Sequence, residues 1–134
     1  MHSDNSKKTS FYQLLGRVFY AAAQADNVVH EEEVETLKKM VREKWQKLEG
    51  GGDEPSSELV QEIEHEFDQL LEKDAKADSV IKDLEEFQKE NPDFFTSEVV
   101  ELIMDTTNQI ISSFAQSNKS EVLFLSELHF LLRK

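Results

Sequence analysis

The chain has 134 residues and a mass of 15.5 kDa, the size of one domain with a real core. It carries 28 acidic against 15 basic side chains, for a net charge of −13 and a pI near 4.7. That balance excludes a broad basic face for nucleic-acid phosphates and docking on anionic lipid. The absence of Cys excludes a disulfide framework, a thiolate metal site and a Cys nucleophile.

No apolar run approaches the roughly 20 residues that span a bilayer. Met1 to Ser10 is polar and lacks the apolar centre of a signal peptide. A cytoplasmic protein without direct membrane insertion is expected. Residues 1–9 read as a flexible N-terminus, and residues 10–134 as one helical domain. Gly50-Gly51-Gly52, followed by Asp53, Glu54 and Pro55, is the clear loop, and Asn91-Pro92 marks a second break.

Between the breaks apolar residues recur at three and four, the helical period. A first helix places Phe11, Leu14, Leu15, Val18, Phe19 and Ala22 on one stripe. Asp26-Asn27 reads as a turn. A second helix starts at about His30 and uses Val34, Leu37, Val41, Trp45 and Leu48. Its opening Glu31, Glu32 and Glu33 and its closing Arg42, Lys44 and Lys47 suit the helix dipole.

A third helix starts near Ser56 or Ser57 and uses Leu59, Val60, Ile63, Phe67, Leu70 and Leu71. Asp74 to Asp78 interrupts it, or separates it from a fourth segment with Val80, Ile81, Leu84 and Phe87. After Pro92, Thr96 or Ser97 caps a fifth helix with Val99, Val100, Ile103, Ile110, Ile111 and Phe114. The last segment, Val122 to Leu132, is apolar nearly all round and is expected to be the central, most buried helix. No stretch alternates like a strand. The expected fold is all-α, a compact bundle of about five to seven helices.

Charge is concentrated. Residues 1–50 are neutral overall, whereas residues 53–105 hold 18 acidic and 4 basic side chains, a net −14. This reads as a solvated outer face, or as a docking surface for a basic partner. The chain also echoes itself. Ala23-Gln24-Ala25-Asp26-Asn27 is followed by Glu33-Val34 and Leu37. Ala115-Gln116-Ser117-Asn118-Lys119 is followed by Glu121-Val122 and Leu125. Two pseudo-repeated helical hairpins around the buried C-terminal helix are the expected core.

The run from Ala21 through Asp26, Val29, Glu33 and Leu37 resembles the signature of the TerB-like superfamily. That signature is an Ala-rich helix, an Asp-Gly turn, an apolar residue two beyond the Gly position, and a Glu opening the next helix. The likeness covers about residues 11–48 and, more weakly, 97–132. Asn27 stands in place of the usual Gly, and Asn118 replaces the acid in the second copy. The resemblance implies a compact cytoplasmic helical module without enzymatic activity. It also implies an association with stress responses, including tellurite resistance, and with membrane-linked complexes. Its acidic turn residues would be cation ligands.

The residues carried over are Asp26 and Glu33, with His30 beside them as candidate ligands for a divalent cation. Asp26 and Glu33 are spaced like the fifth and twelfth positions of an EF-hand loop. Ala22 and Gln24 nonetheless stand at its first and third positions, so a complete EF-hand is excluded. The plainer alternative is helix punctuation: Asp26 closes the turn and the glutamates favour the positive end of the second helix.

Other motifs are thinner. Glu62 and His65 form a single Glu-x-x-His, where di-iron bundles need two with further glutamates. His129 reads as a hydrogen-bonded packing residue. Trp45 reads as core, with Phe67 or Phe87. Phe94-Phe95 reads as a core plug, with an exposed docking pair as the alternative. No Gly-rich phosphate loop, nucleophile elbow or triad is present. The expected function is a non-enzymatic module that binds a partner protein, basic or membrane-associated, with or without a divalent cation. The alternative is an acidic interaction domain in which metal plays no part.

Overall fold

A computed structural model describes residues 2–25, 29–48, 58–76, 79–113 and 119–132. Six helices and no strand are formed among them. They are α1 (His2–Ala23), α2, α3 (Glu58–Lys73), α4 (Val80–Glu90), α5 (Ser97–Ser112) and α6 (Lys119–Leu132). Helix α2 runs Glu31–Met40, passes through a π-helical turn at Val41–Trp45, and ends in Gln46–Leu48. A 3₁₀ turn, Pro92–Phe94, joins α4 to α5. The all-α bundle follows as expected. Residues 2–9, expected to be flexible, are the first turns of α1. The glycine loop and residues 115–118 of the second copy of the internal echo lie outside the described residues, and the rest of that copy, from Lys119, is in α6.

Helix α1, not the C-terminal helix, is the centre of the bundle. From Phe11 to Ala23 only Gln13 and Arg17 are not buried. These two sit one turn apart and meet polar partners on neighbouring helices. Gln13 Nε2 donates to Glu62 Oε1 on α3 at 3.1 Å, and Arg17 Nη1 to Asp83 Oδ2 on α4 at 3.3 Å. Helix α1 packs against α2, α3, α4, α5 and α6.

Its closest neighbour is α3, and Gly16 explains why. A Cβ at that position would stand 2.7 Å from the Ile63 carbonyl oxygen and 2.8 Å from Glu66 Cβ. The two backbones can approach only because residue 16 has no side chain.

The ends of the elements follow local chemistry. Helix α3 stops in a Schellman motif: Ala75 N–H donates to Leu70 O at 3.0 Å and Asp74 N–H to Leu71 O at 3.1 Å. Asp74 takes the left-handed position, with φ of 51°. This separates α3 from α4 at the expected interruption. The released Ala75 carbonyl then accepts from Tyr20 Oη at 2.7 Å and Gln24 Nε2 at 2.6 Å, which ties the connection to the end of α1. Burial first, and the Asp74 carboxylate second, push the Tyr20 hydroxyl above its ordinary value, so it remains a donor. Helix α5 is capped as expected, with Thr96 Oγ1 accepting from Val99 N at 3.2 Å.

The π-turn in α2 closes with Gln46 N–H donating to Val41 O. Val41 and Trp45, four residues apart and so on one face, are both buried. Trp45 is fully buried beside Tyr12 and Phe19, with ring centroids 6.4 and 6.0 Å away. Its Nε1 donates to Thr106 Oγ1 on α5 at 3.0 Å. Phe67 and Phe87 have other ring partners. Phe67 meets Tyr20, and Phe87 joins Phe11, Phe94 and Phe95 in a four-ring cluster. Phe94 and Phe95 thus plug the base of α1 and are half-buried.

Candidate functional site

The turn after α1 is the first place to look. Asp26 lies outside the described residues. Glu33 is fully buried at the third position of α2, and its Oε1 accepts the His30 backbone N–H at 2.7 Å. This is one half of a capping box, in which a carboxylate occupies an orphan donor at the helix start. His30 is the N-cap, in extended conformation and half-buried. Among the described residues no group of three or more His, Asp or Glu side chains is arranged to hold a metal ion. The single Glu-x-x-His is divided between other tasks. Glu62 accepts from Gln13, and the exposed His65 meets Gln69 at 3.0 Å.

Charge at the α2–α3 junction is organised as a small cluster. Lys38 Nζ lies 3.6 Å from Asp68 Oδ2, and Arg42 and Lys38 both act on Glu64. Burial nevertheless pushes the Glu64 carboxyl above its ordinary value. Asp68 adds to this, and the two cations pull it back. A carboxyl raised in the folded state holds its proton better there than in the unfolded chain. Its contribution therefore favours folding as pH falls through the raised value, and that gain is lost as pH rises. Glu64→Gln should unfold at higher urea than the parent at neutral pH, with the gap closing below about pH 4. Urea midpoints at the two pH values check this. An equal gap at both would remove burial of the charge as the cause.

The outer face of α6 is different in kind. Leu128, Leu131 and Leu132 point into the bundle and are buried. On the opposite side Val122 is 52% exposed, Leu123 61% and Phe130 74%. The helix is apolar on two sides, one packed and one open. That corrects the expectation of a buried C-terminal helix: apolarity all round gives no phase that tells which side faces in. The same correction applies to His129, expected to pack inside and found exposed.

Leu123, Ser126, Glu127 and Phe130 follow one another at three, four and seven, so they share one face. Beside that face, between α4 and α6, runs an open groove of about 400 Å³, lined by Ile81, Glu85, Ser126, Glu127, Phe130 and Leu131. A second groove of about 520 Å³, between the end of α2 and α5, is lined by Lys44, Lys47, Glu98, Glu101, Leu102 and Asp105. Its walls are charged, with a single apolar side chain. Among the described residues no helix is long and apolar enough to cross a membrane.

Comparison of the chain with family models, curated proteins and solved structures finds no match. The site therefore rests on its own geometry. The residues that form it, Leu123 and Phe130, were visible in the sequence, but nothing in their spacing set them apart from Phe124, Leu128 and Leu131.

Proposed function

We propose that this chain is a non-enzymatic, TerB-like helical module that binds a partner protein through the outer face of α6. The carrying observation is where apolar surface is left open. The three exposed large apolar side chains among the described residues, Val122, Leu123 and Phe130, all lie on that one helix. Scattered apolar residues are ordinary on a surface, but a concentration on one helix beside a groove marks an interaction face. The TerB-like assignment is supported by the run Ala21 to Leu37. The non-enzymatic reading is supported by the lack of any catalytic motif in the sequence. At the acidic turn, the Glu33 carboxylate that holds the His30 N–H supports helix capping, and the reading gives the turn that role in place of a divalent cation.

The test is photo-crosslinking in intact cells, with a benzophenone side chain at position 123 or 130 and a control at the exposed Glu72 on α3. Discrete protein adducts from 123 and 130, absent from 72, are expected. No adduct, or the same adducts from all three positions, would overturn the reading.

A further inference from the structure

Resting on that reading, we propose that the partner is a second copy of this chain, the two α6 helices crossing antiparallel about a two-fold axis at Ser126. The order of residues on the outer face argues for a copy. Val122, Ser126 and Phe130 recur at four and form one ridge, with Leu123 on the same side of the helix, and all four are exposed. The ridge has a small residue in the middle, a ring at one end and two branched aliphatic side chains at the other. Ser126 lets two helices approach closely, and each end of the ridge lies about 6 Å from it along the helix axis. A two-fold axis at Ser126 therefore lays each Phe130 on Val122 and Leu123 of the other copy. An isologous contact needs a patch that matches itself in this way.

Charge and area argue the same way. Residues 119–134 hold 3 basic and 2 acidic side chains, a net +1, whereas residues 53–105 carry a net −14. The α6 segment is thus where two copies of an acidic chain meet with least repulsion, and its near-neutral charge steers neither a basic nor an acidic partner. The open parts of Val122, Leu123 and Phe130 amount to roughly 400 Å² per copy, which is the size of a weak and reversible interface. Glu127 stands one residue beyond the axis, so the two-fold sets it near its own equivalent. That repulsion, and the net −13 on each copy, are screened by salt. Pairing therefore strengthens as salt rises, the reverse of an association built on opposite charges.

The experiment uses the full chain in analytical ultracentrifugation between about 1 μM and 1 mM, the range of weak association. The mass should rise from 15.5 kDa towards twice that value, at lower concentration when salt is high. Phe130→Asp should weaken pairing about tenfold or more, with a circular dichroism spectrum that matches the parent. The chain has no cysteine, so one introduced thiol reports on the axis. Residues that face each other where two helices cross come within the Cα separation that a disulfide needs. Ser126→Cys should therefore give a covalent dimer under mild oxidation, and Glu72→Cys, on the exposed side of α3, should remain a monomer.

A parent chain that stays monomeric at the highest concentration would overturn the proposal. So would pairing that salt weakens, or a disulfide that forms as readily from Glu72→Cys as from Ser126→Cys. If the chain is monomeric while crosslinks from 123 and 130 capture other proteins, self-pairing fails and the interaction face stands. If those crosslinks are lost as well, the face itself fails.

Discussion

Trp45→Ala should lower the stability of this domain by about 3–5 kcal/mol, a large share of what a domain of this size commonly has. The indole is fully exclosed from solvent, packs on Tyr12 and Phe19, and joins α2 to α5 through Thr106 Oγ1 at 3.0 Å. Truncation removes the ring and leaves a cavity lined by residues that the π-turn holds in place. Trp45→Phe separates packing from hydrogen bonding. It keeps most of the volume but strands a buried Thr106 hydroxyl, at a cost of about 1–3 kcal/mol. Trp45→Phe combined with Thr106→Val should recover part of that loss, because both polar partners are then gone. Urea unfolding followed by circular dichroism measures all three. A loss below about 1 kcal/mol for Trp45→Ala would contradict the packing described for the π-turn.

Gly16 is the second position where a small change has a large effect. Helix propensity alone predicts that Gly16→Ala stabilises α1 by up to about 1 kcal/mol. The packing predicts the opposite. A new Cβ would meet the Ile63 carbonyl oxygen at 2.7 Å, and a backbone oxygen in the middle of α3 has nowhere to turn. Helices α1 and α3 must move apart, and overpacking of this kind costs about 1–3 kcal/mol. The net expectation is destabilisation for alanine and a larger loss for Gly16→Val, whose branched side chain meets the same wall with more atoms. Thermal unfolding of the two variants decides between propensity and packing. A higher melting temperature for alanine would mean that the helices are not in such close contact.

Much of the helix pattern was legible in the residue spacing. The three-and-four recurrence places α1, α2, α4 and α5, and Pro92 with Thr96 marks where α5 begins. The acids at the start of α2 were read as dipole partners, and one of them, Glu33, caps the helix from inside the bundle. What spacing does not carry is the choice of partners. Helix α1 has an evident stripe, yet it is buried nearly all round because Gln13 and Arg17 find their own partners on α3 and α4. Helix α6 has no evident stripe and lies at the edge. Its apolar residues were all visible, but a helix without a polar side offers no phase, and phase is what separates core from surface. The left-handed Asp74 was equally hidden, since its role follows from where α3 must end. The candidate face inherits that ambiguity: Leu123 and Phe130 looked like core until their neighbours were placed.

The central position of α1 also bears on how the chain is made. This helix leaves the ribosome before every helix that covers it. Its apolar residues Phe11 to Ala23 meet partners as distant as Leu128 to Leu132 in the same core. At ordinary elongation rates of about 5–20 residues per second, the interval between the two is several seconds to tens of seconds. During that time α2 to α5 cover it one after another, and only the part that meets α6 lacks its native partner. The core is therefore complete only when Leu128, Leu131 and Leu132 have been synthesised.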